Sequence, residues 1–333
     1  MVGSLGDAPI LVTGASGHVG TNLVQMLARK GHAVRALVHR NTLRLSEPGV
    51  EIVQGDLLDL GSLIHATSGV GTVFHTAAHI SVSPWEWRQD EEINVLGTRH
   101  LLDACRRNGV GRLVHFSSIE ALVDEPFDTP VDESRPLAER RGYPPYARSK
   151  AAGQRWVEQA YAEGLDAIVL HPTAMLGPGD SRLGLPNRGL LALYCGRLPA
   201  LVEGGFDWVD VRDVAAAAIR AAAEAPAGRR YILSGHWVSL RDIAVLMDEM
   251  TGRRITRPVC PMWLARVGAP FATVFGQLTR RQPLFTVDSL RPLRSNPRIS
   301  RDRAGRELGY APRPFRETVA DTLAWFQECG YCR

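Results

Sequence analysis

The sequence predicts an α/β protein with a doubly wound parallel sheet and a smaller, mostly helical C-terminal cap. Three observations predict this fold. Short apolar runs alternate with amphipathic segments through the first half of the chain, which is typical of βαβ units. A glycine-rich turn over residues 13–20 joins the first apolar run to the first amphipathic segment. The second half loses this alternation and indicates mainly helices.

Each strand of the predicted sheet is a short apolar run, and these runs span residues 10–12, 33–38, 51–53, 72–75, 112–116 and 167–170. Helical periodicity predicts helices between them over residues 18–29, 62–67, 91–108 and 147–163. Further along the chain, the pattern predicts one more strand over 230–233 and helices over 211–224, 240–250, 262–278, 301–308 and 315–326. Right-handed crossovers then place helices on both faces of the sheet.

The turn after the first strand has the composition of a pyrophosphate-binding loop. Gly14 permits a tight turn, Gly17 lets the backbone approach a phosphate, and Gly20 allows close packing of the helix that follows. The N-terminus of that helix offers N–H groups and a favourable dipole to an anion. The predicted dinucleotide contacts in this turn are the three glycines together with Ser16, His18 and Val19.

The chain divides where the strand–helix alternation stops. Residues 1–172 are predicted to form a dinucleotide-binding Rossmann domain, which residues 207–236 complete. Residues 173–206 and 237–333 are predicted to form a substrate-binding cap over the carboxyl ends of the strands, where open α/β sheets bind ligands.

The end of the second strand bears on the choice between NAD and NADP. An acidic residue there would bind the ribose hydroxyls of NAD, whereas an arginine would pair with a 2′-phosphate. The sequence has His39 and Arg40, and the first acid that follows is Glu47. We therefore expect NADP rather than NAD, with the alternative that Arg40 is simply solvated.

Two further strand ends are predicted to contact the cofactor. Asp56 follows the third strand, where it can accept from the adenine amino group beside Leu57. The fourth strand ends in His75, which is equally consistent with a packed and with a functional histidine. The small residues that follow it let the backbone approach the cofactor, and they are Thr76, Ala77 and Ala78.

Tyr146 and Lys150 are four residues apart on a predicted helix, so their side chains share one face. The phenol has an ordinary pKa of about 10, and a cation nearby lowers it. Ser117 and Ser118 end the fifth predicted strand and offer a hydroxyl for a substrate oxygen. This set predicts proton transfer at a carbonyl or hydroxyl group, with Lys150 also reaching the cofactor ribose.

The bulk composition limits the alternatives. A net charge of +4, spread without blocks over 333 residues, gives little support to nucleic-acid binding. Five scattered cysteines do not form a disulfide or metal-binding pattern and favour a reducing compartment. The sequence contains neither a secretory signal nor the ~20 apolar residues of a membrane span. We expect a cytoplasmic homodimer that binds a small-molecule substrate and no metal.

These motifs resemble those of the extended short-chain dehydrogenase/reductases, above all the branch of dihydroflavonol reductases and 3β-hydroxysteroid dehydrogenases. The similar segments are TGASGHVG, GDLLD, HTAA, NVLGT, LVHFSSIE, YARSK and RELGYAP. The resemblance implies that Ser118, rather than Ser117, is the catalytic serine, and that Tyr146 and Lys150 have the family's catalytic roles. It also implies that Asn94 shapes the backbone at the site.

The resemblance implies backbone contacts from Pro172 and Thr173 to the nicotinamide end of the cofactor. Two positions depart from the family pattern, because His39 and His171 stand where relatives often carry arginine. We interpret His171 as structural, and Asp210 as a cap of the helix that follows it.

The expected function is therefore an NADPH-preferring oxidoreductase that interconverts a ketone or aldehyde and an alcohol on a mostly apolar substrate. A nucleotide-sugar epimerase or dehydratase with tightly bound NAD uses the same Ser/Tyr/Lys set and stays open, as does a nucleotide-sensing regulator without turnover. The cap favours the first reading through its aromatic residues Tyr194, Trp263, Phe271, Phe275 and Phe285. Its arginines keep the epimerase open, and they are Arg188, Arg197 and Arg280.

Overall fold

The computed structural model describes residues 5–39, 47–81, 87–268 and 290–331. Its strands, in chain order, are β1 (Ile10–Thr13), β2 (Val34–Val38), β3 (Val50–Gln54), β4 (Thr72–His75), β5 (Arg112–Phe116), β6 (Ala167–Pro172), β7 (Ala174–Leu176), β8 (Leu201–Val202), β9 (Gly205–Asp210), β10 (Arg230–Leu233), β11 (His236–Ser239) and β12 (Val259–Cys260).

The α-helices are α1 (His18–Arg29), α2 (Leu60–Thr67), α3 (Trp87–Asp90), α4 (Gly97–Arg107), α5 (Pro145–Ala162), α6 (Leu185–Tyr194), α7 (Val211–Glu224), α8 (Leu240–Thr251), α9 (Asp302–Leu308) and α10 (Phe315–Glu328). A π-helical turn, Glu91–Leu96, joins α3 to α4, and a 3₁₀ turn, Ile119–Ala121, follows β5.

Seven strands form the central sheet in the order β10-β6-β5-β4-β1-β2-β3, and every pair in it is parallel. The sheet confirms the predicted fold class. Its strand order reverses between β1 and β4, which is where sheets of this kind bind ligands. The strands were predictable because both of their faces are buried, so each one is a short apolar run in the sequence.

Two apolar clusters cover the two faces of this sheet. Residues of α1 and α7 pack on one face, and residues of α2 and α4 pack on the other. The first cluster also contains Ala304, Leu308 and Tyr310, from α9 and the residues after it. This short segment of the C-terminal region thus packs on the large sheet, whereas α6, α8 and α10 share a separate core.

The C-terminal region also contains strands that the sequence analysis did not predict. β7, β9 and β11 form a three-stranded sheet, and β8 pairs with β12. β7 and β8 are three and two residues long, which is too short to show a period. Helix α6 also went unpredicted, within the segment 173–206 that shows little periodicity. Asp210 caps α7 by accepting from the Arg212 N–H, as predicted.

The predicted helix over residues 91–108 is interrupted at its start by the π-helical turn. This turn packs closely against α5, because a Cβ at Gly153 would lie only 2.4 Å from the Asn94 carbonyl oxygen. The wider turn places the Asn94 side chain between α5 and the loop after β4, and π-helical turns of this kind are frequent at functional sites.

Candidate active site

The turn between β1 and α1 packs tightly against the end of β4. Gly14 has a φ of +67°, and a Cβ there would lie 2.6 Å from the Ala77 Cα. A Cβ at Gly20 would lie 2.2 Å from the Gly14 carbonyl oxygen. The structure therefore requires glycine at both positions, for the backbone geometry and the close packing that the sequence predicts.

The N-terminus of α1 is suited to an anion. Its cap residue, Gly17, has no side chain that could bond the N–H groups of the first turn, and this turn contains no acidic residue. The N–H groups of His18 and Val19 start this helix beside Ser16, and the helix dipole adds a partial positive charge there. This glycine cradle fits the pyrophosphate of a dinucleotide.

The residues after β4 lie against the same turn. The Thr76 hydroxyl donates to the Thr13 carbonyl oxygen at 2.6 Å, and the Ala77 N–H donates to the Thr13 Oγ1 at 3.4 Å. Ala78, the next residue, is exposed. Small residues therefore bring the backbone of this loop to the point where the strand order reverses, as the sequence predicts.

His39 and Asp56 meet at the ends of β2 and β3. The His39 Nε2 lies 3.1 Å from the Asp56 Oδ2, and both side chains are substantially exposed. The Leu57 side chain is buried against Gly97 on α4, which leaves its backbone as the part that can meet an adenine. Arg40 lies outside the described residues.

Ser118 and Tyr146 form the centre of the predicted catalytic set. Ser118 follows β5 and caps the 3₁₀ turn, with its Oγ accepting from the Glu120 N–H at 3.2 Å. The Ser118 side chain is close enough to the Tyr146 phenol to shift its pKa. Pro145 begins α5, a position that suits its fixed φ, and so places Tyr146 in the first turn. The hydroxyl groups of Ser118 and Tyr146 thus lie near each other at the end of β5.

Burial makes the Tyr146 phenol a weaker acid than an ordinary tyrosine. Burial and the Glu120 carboxylate raise the pKa of Tyr146 above its usual range, although the Ser118 side chain opposes them. The sequence predicts the opposite direction, with Lys150 lowering this pKa. That direction is wrong for this structure, because burial and Glu120 outweigh the groups that lower the pKa. The Lys150 ammonium donates to the Phe116 carbonyl oxygen at 2.5 Å.

Lys150 is 4% exposed, and burial lowers the pKa of its ammonium group to about 8. Three buried histidines surround it, and they are His75, His115 and His171. Burial lowers the pKa of each imidazole, and the charge of Lys150 lowers it further. The histidines are therefore neutral near pH 7.

His75 belongs to a buried chain of hydrogen bonds. Its Nδ1 lies 2.8 Å from the Thr13 Oγ1, and its Nε2 lies 3.0 Å from the Thr98 Oγ1. The Thr98 hydroxyl donates to the Asn94 carbonyl oxygen, so His75 must donate from Nε2 and accept at Nδ1. Both ring nitrogens are thus satisfied, which decides the question left open by the sequence in favour of a packed histidine.

The Asn94 side chain joins the loop after β4 to α5. Its Oδ1 accepts from the His79 N–H at 2.8 Å, and its Nδ2 donates to the His79 carbonyl oxygen and to the Ser149 Oγ, each at 2.9 Å. Ser149 in turn donates to the Tyr146 carbonyl oxygen. Asn94 therefore shapes the backbone at the site, and it has no amide hydrogen left for a cofactor.

Pro172 and Thr173 lie at the end of β6, where the sequence predicts the nicotinamide. The Thr173 hydroxyl donates to the Asp207 Oδ1 at 2.7 Å, and the Gly235 N–H donates to the same oxygen. Burial raises the pKa of Asp207. Because the Thr173 side chain is used in this way, its backbone remains as the predicted contact.

His171 and Ser117 share one partner in the core. The Gln154 Oε1 accepts from the Ser117 hydroxyl at 2.8 Å and from the His171 Nε2 at 2.9 Å. This contact agrees with the interpretation of His171 as structural, which stays a prediction. Gln154 lies one helical turn after Lys150, so the same face of α5 carries Tyr146, Lys150 and this support.

Sequence reasoning missed several buried polar residues of the site. Asp90 is fully buried and accepts from the Ser81 hydroxyl and from the His79 Nδ1. Neither it nor Gln154 belongs to a recognisable pattern. Glu120, two residues after Ser118, was visible in the sequence as a carboxylate at the predicted strand edge.

The predicted walls of the substrate cleft are only partly described. Tyr194 does not form a wall, because it is buried in the cap core and its hydroxyl accepts from Gln327. Trp263 is 68% exposed. The remaining predicted wall residues and one arginine lie outside the described residues, and they are Phe271, Phe275, Phe285 and Arg280.

The described ranges contain neither a metal-binding cluster nor a helix that could span a membrane. Within them, no three His, Cys, Asp or Glu side chains gather into a group that could hold a metal ion. Their helices are also too short or too polar for any of them to cross a bilayer.

Comparisons with known proteins agree with this geometry. A family model described as the NAD dependent epimerase/dehydratase family matches residues 10–234. Sterol demethylase protein B of Methylococcus capsulatus is 36% identical over 96% of this chain and 98% of its own. A putative dihydroflavonol 4-reductase of Synechocystis is 30% identical over 97% and 95%. The crystal structure of gox2253 aligns with a TM-score of 0.85 and 31% identity over 98% and 100%.

Proposed function

The chain belongs to the NAD-dependent epimerase/dehydratase family, among the extended short-chain dehydrogenase/reductases, and we propose that it is an NAD(P)-dependent oxidoreductase that interconverts a ketone or aldehyde and an alcohol. The observation that carries the proposal is that Tyr146 and the buried Lys150, one helical turn apart on α5, lie against the end of β5 that carries Ser118. These groups lie at the strand edge that also carries the glycine cradle.

The chemistry divides between cofactor and protein. When bound, the nicotinamide supplies a hydride to the carbonyl carbon, or accepts one from the alcohol. The Ser118 hydroxyl holds the substrate oxygen, and Tyr146 donates the proton to it. The Tyr146 phenol is protonated near pH 7 and so has a proton to donate, although burial raises its pKa and makes it a weaker acid than an ordinary tyrosine. Lys150 provides a cation for the ribose hydroxyls.

We infer that the cofactor is NADP. The first acid after β2 in the sequence is Glu47, and its carboxylate pairs with Arg29 at the C-terminal end of α1, 3.5 Å away. Asp56, the next candidate, pairs with His39. Glu47 thus pairs with an arginine and Asp56 with a histidine, so neither carboxylate is free of a partner. Arg40 follows β2 in the sequence and can pair with a 2′-phosphate.

We infer that the substrate is mostly apolar. The names of the two relatives include a sterol and a dihydroflavonol, both of which are bulky ring systems. The Trp263 side chain exposed on the cap is suited to such a body.

The family name itself supports a second candidate, an epimerase or dehydratase of a nucleotide-linked sugar with tightly bound NAD. Such a substrate carries a diphosphate, which requires cations in the cap. Arg188 is a candidate, since it is half-buried and burial lowers the pKa of its guanidinium group.

The test is an assay of purified protein with a panel of apolar and aromatic ketones and either NADPH or NADH. We expect loss of nicotinamide absorbance that depends on the ketone, with NADPH preferred. Bound nucleotide released by denaturation should be identified by mass spectrometry in parallel. Epimerised sugar nucleotide, formed by protein holding NAD and without consumption of added NADPH, would replace this proposal with the second candidate.

A further inference from the structure

The loop between β7 and α6, residues 177–184, reaches across to the phosphate-binding turn. The His18 Nε2 donates to the Gly177 and Pro178 carbonyl oxygens at 3.1 and 3.2 Å. The Asn22 Nδ2 donates to the Pro178 carbonyl oxygen at 3.1 Å. The start of the loop is therefore held to the first helical turns of α1, although the bonded residues are 156 to 160 positions apart in the chain.

The tip of this loop is a tight, well-anchored turn. The Leu183 N–H donates to the Asp180 carbonyl oxygen at 2.9 Å, which closes the turn, and Leu183 has a φ of +49°. The Asp180 carboxylate, 4% exposed, accepts from the Gly184 N–H and the Asn187 side chain. A non-glycine residue in the left-handed region costs ~1–3 kcal/mol and is kept where the surroundings enforce it. The turn therefore presents its third residue in a fixed direction.

That third residue is Arg182, and it extends over the glycine turn. Its Nη2 donates to the Ser16 Oγ at 2.5 Å. Ser16 directly precedes Gly17, the cap of α1. The guanidinium group therefore lies beside the anion cradle while its side chain is exposed. An exposed arginine held by one serine keeps further N–H donors for a ligand.

We propose that Arg182 is a cofactor-binding residue that pairs with the pyrophosphate from the side of the cap. The inference rests on the proposed binding of a dinucleotide at this site. The ligand group is a nucleoside diphosphate, whose two negative charges exceed the partial charge of one helix N-terminus. A guanidinium group forms two parallel, charge-assisted hydrogen bonds with phosphate oxygens, which an ammonium group cannot reproduce.

This role has a consequence that separates it from recognition of the 2′-phosphate. The pyrophosphate is common to NADPH, NADH and ADP-ribose, so Arg182 strengthens the binding of all three equally and does not select between them. Because the loop is continuous with β7 and α6, the bound diphosphate also fixes the edge of the cap against the sheet.

The experiment measures the dissociation constants of NADPH, NADH, ADP-ribose and adenosine by fluorescence or calorimetric titration. The variants are Arg182→Met and Arg182→Lys, and Arg254→Met is the matched control. Arg254 is an exposed arginine after α8, so this control loses the same charge away from the turn. We expect Arg182→Met to raise the dissociation constants of NADPH, NADH and ADP-ribose about tenfold, which corresponds to the loss of one charge-assisted hydrogen bond. Arg182→Lys should recover part of this loss, while adenosine binding and Arg254→Met should not change.

Unchanged diphosphate binding by Arg182→Met, in a protein whose wild type binds NADPH, would overturn the inference. A weakening confined to NADPH would reassign Arg182 to the 2′-phosphate and overturn it as well. Absence of dinucleotide binding by the wild type would instead refute the proposed function.

Discussion

The two ends of the proposed cofactor site differ in how far they are buried. At the catalytic end, His75, Asn94 and Lys150 are 1%, 3% and 4% exposed, and each is hydrogen-bonded. At the adenosine end, the His39 and Asp56 side chains are 54% and 37% exposed. Buried polar groups cost free energy unless they are paired, whereas exposed pairs contribute little. Substitutions at the catalytic end should therefore change rate and stability, and those at the adenosine end should change only cofactor choice.

The largest expected effect is that of Tyr146→Phe on turnover. Removing the phenol removes the proton donor, so kcat should fall by roughly 10²–10⁴-fold. The ring remains, so the dissociation constant of NADPH should stay close to that of wild type. Steady-state kinetics and a cofactor titration on one preparation measure both quantities. A variant that retains more than about a tenth of the wild-type rate would remove Tyr146 from the mechanism.

Lys150→Met tests the burial of the catalytic cation through the pH dependence of stability. Burial lowers the pKa of Lys150 from 10.5 to about 8, so between these values the unfolded chain binds more protons than the folded one. The contribution of Lys150 to the free energy of unfolding therefore rises with pH, by up to about 3 kcal/mol across that window.

Lys150→Met should abolish turnover and weaken cofactor binding. The variant should also lack this rise of the free energy of unfolding with pH. The measurement is urea unfolding of both proteins at pH 7 and pH 9.5. Between these two pH values, the free energy of unfolding should rise more for the wild type than for the variant. Parallel changes in the two proteins would show that Lys150 is not desolvated.

Arg40→Ala tests the adenosine end of the proposed cofactor site. A charge-assisted pair with the 2′-phosphate is worth roughly 1.5–3 kcal/mol, so NADPH should bind about tenfold to hundredfold more tightly than NADH. The variant should lose most of this preference, with little change for NADH or for the melting temperature. Titrations that give equal wild-type affinities for the two cofactors would refute the reading of His39 and Arg40.

The smallest expected effect is the change in kcat that Asn94→Ala causes. This substitution removes a side chain that positions the backbone at the site. Its loss leaves the His79 backbone and Ser149 without their partner and should lower kcat about tenfold, with a loss of stability of about 1–3 kcal/mol. Asn108→Ala is the matched control, because Asn108 donates to the Ile64 carbonyl oxygen and to Thr67 away from the site. Equal kcat values in the two variants would reduce Asn94 to a purely structural residue.

The same contrast explains which parts could be predicted from the sequence. The central sheet was predictable because buried parallel strands are apolar runs, and Tyr146 and Lys150 were predictable because one helical turn separates them. Asp90, Gln154 and Asp207 were not, since a single buried polar residue has no period and its partners are distant in sequence.

The direction of the Tyr146 pKa was predicted wrongly for a related reason. The spacing of Tyr146 and Lys150 gives their shared face but not the hydrogen bond of Lys150 to Phe116, nor the approach of Glu120. Burial depends on all the elements that close over a group, so the sequence of one helix does not contain it.

The most direct test of the central claim follows the hydride itself. Purified protein would be incubated with an apolar ketone and NADPH carrying two deuterium atoms at C4 of the nicotinamide, and the alcohol analysed by mass spectrometry. We predict one deuterium atom at the carbinol carbon of the product and one NADP⁺ formed per alcohol. Epimerisation of a nucleotide-linked sugar without transfer of deuterium from the added cofactor would contradict the account.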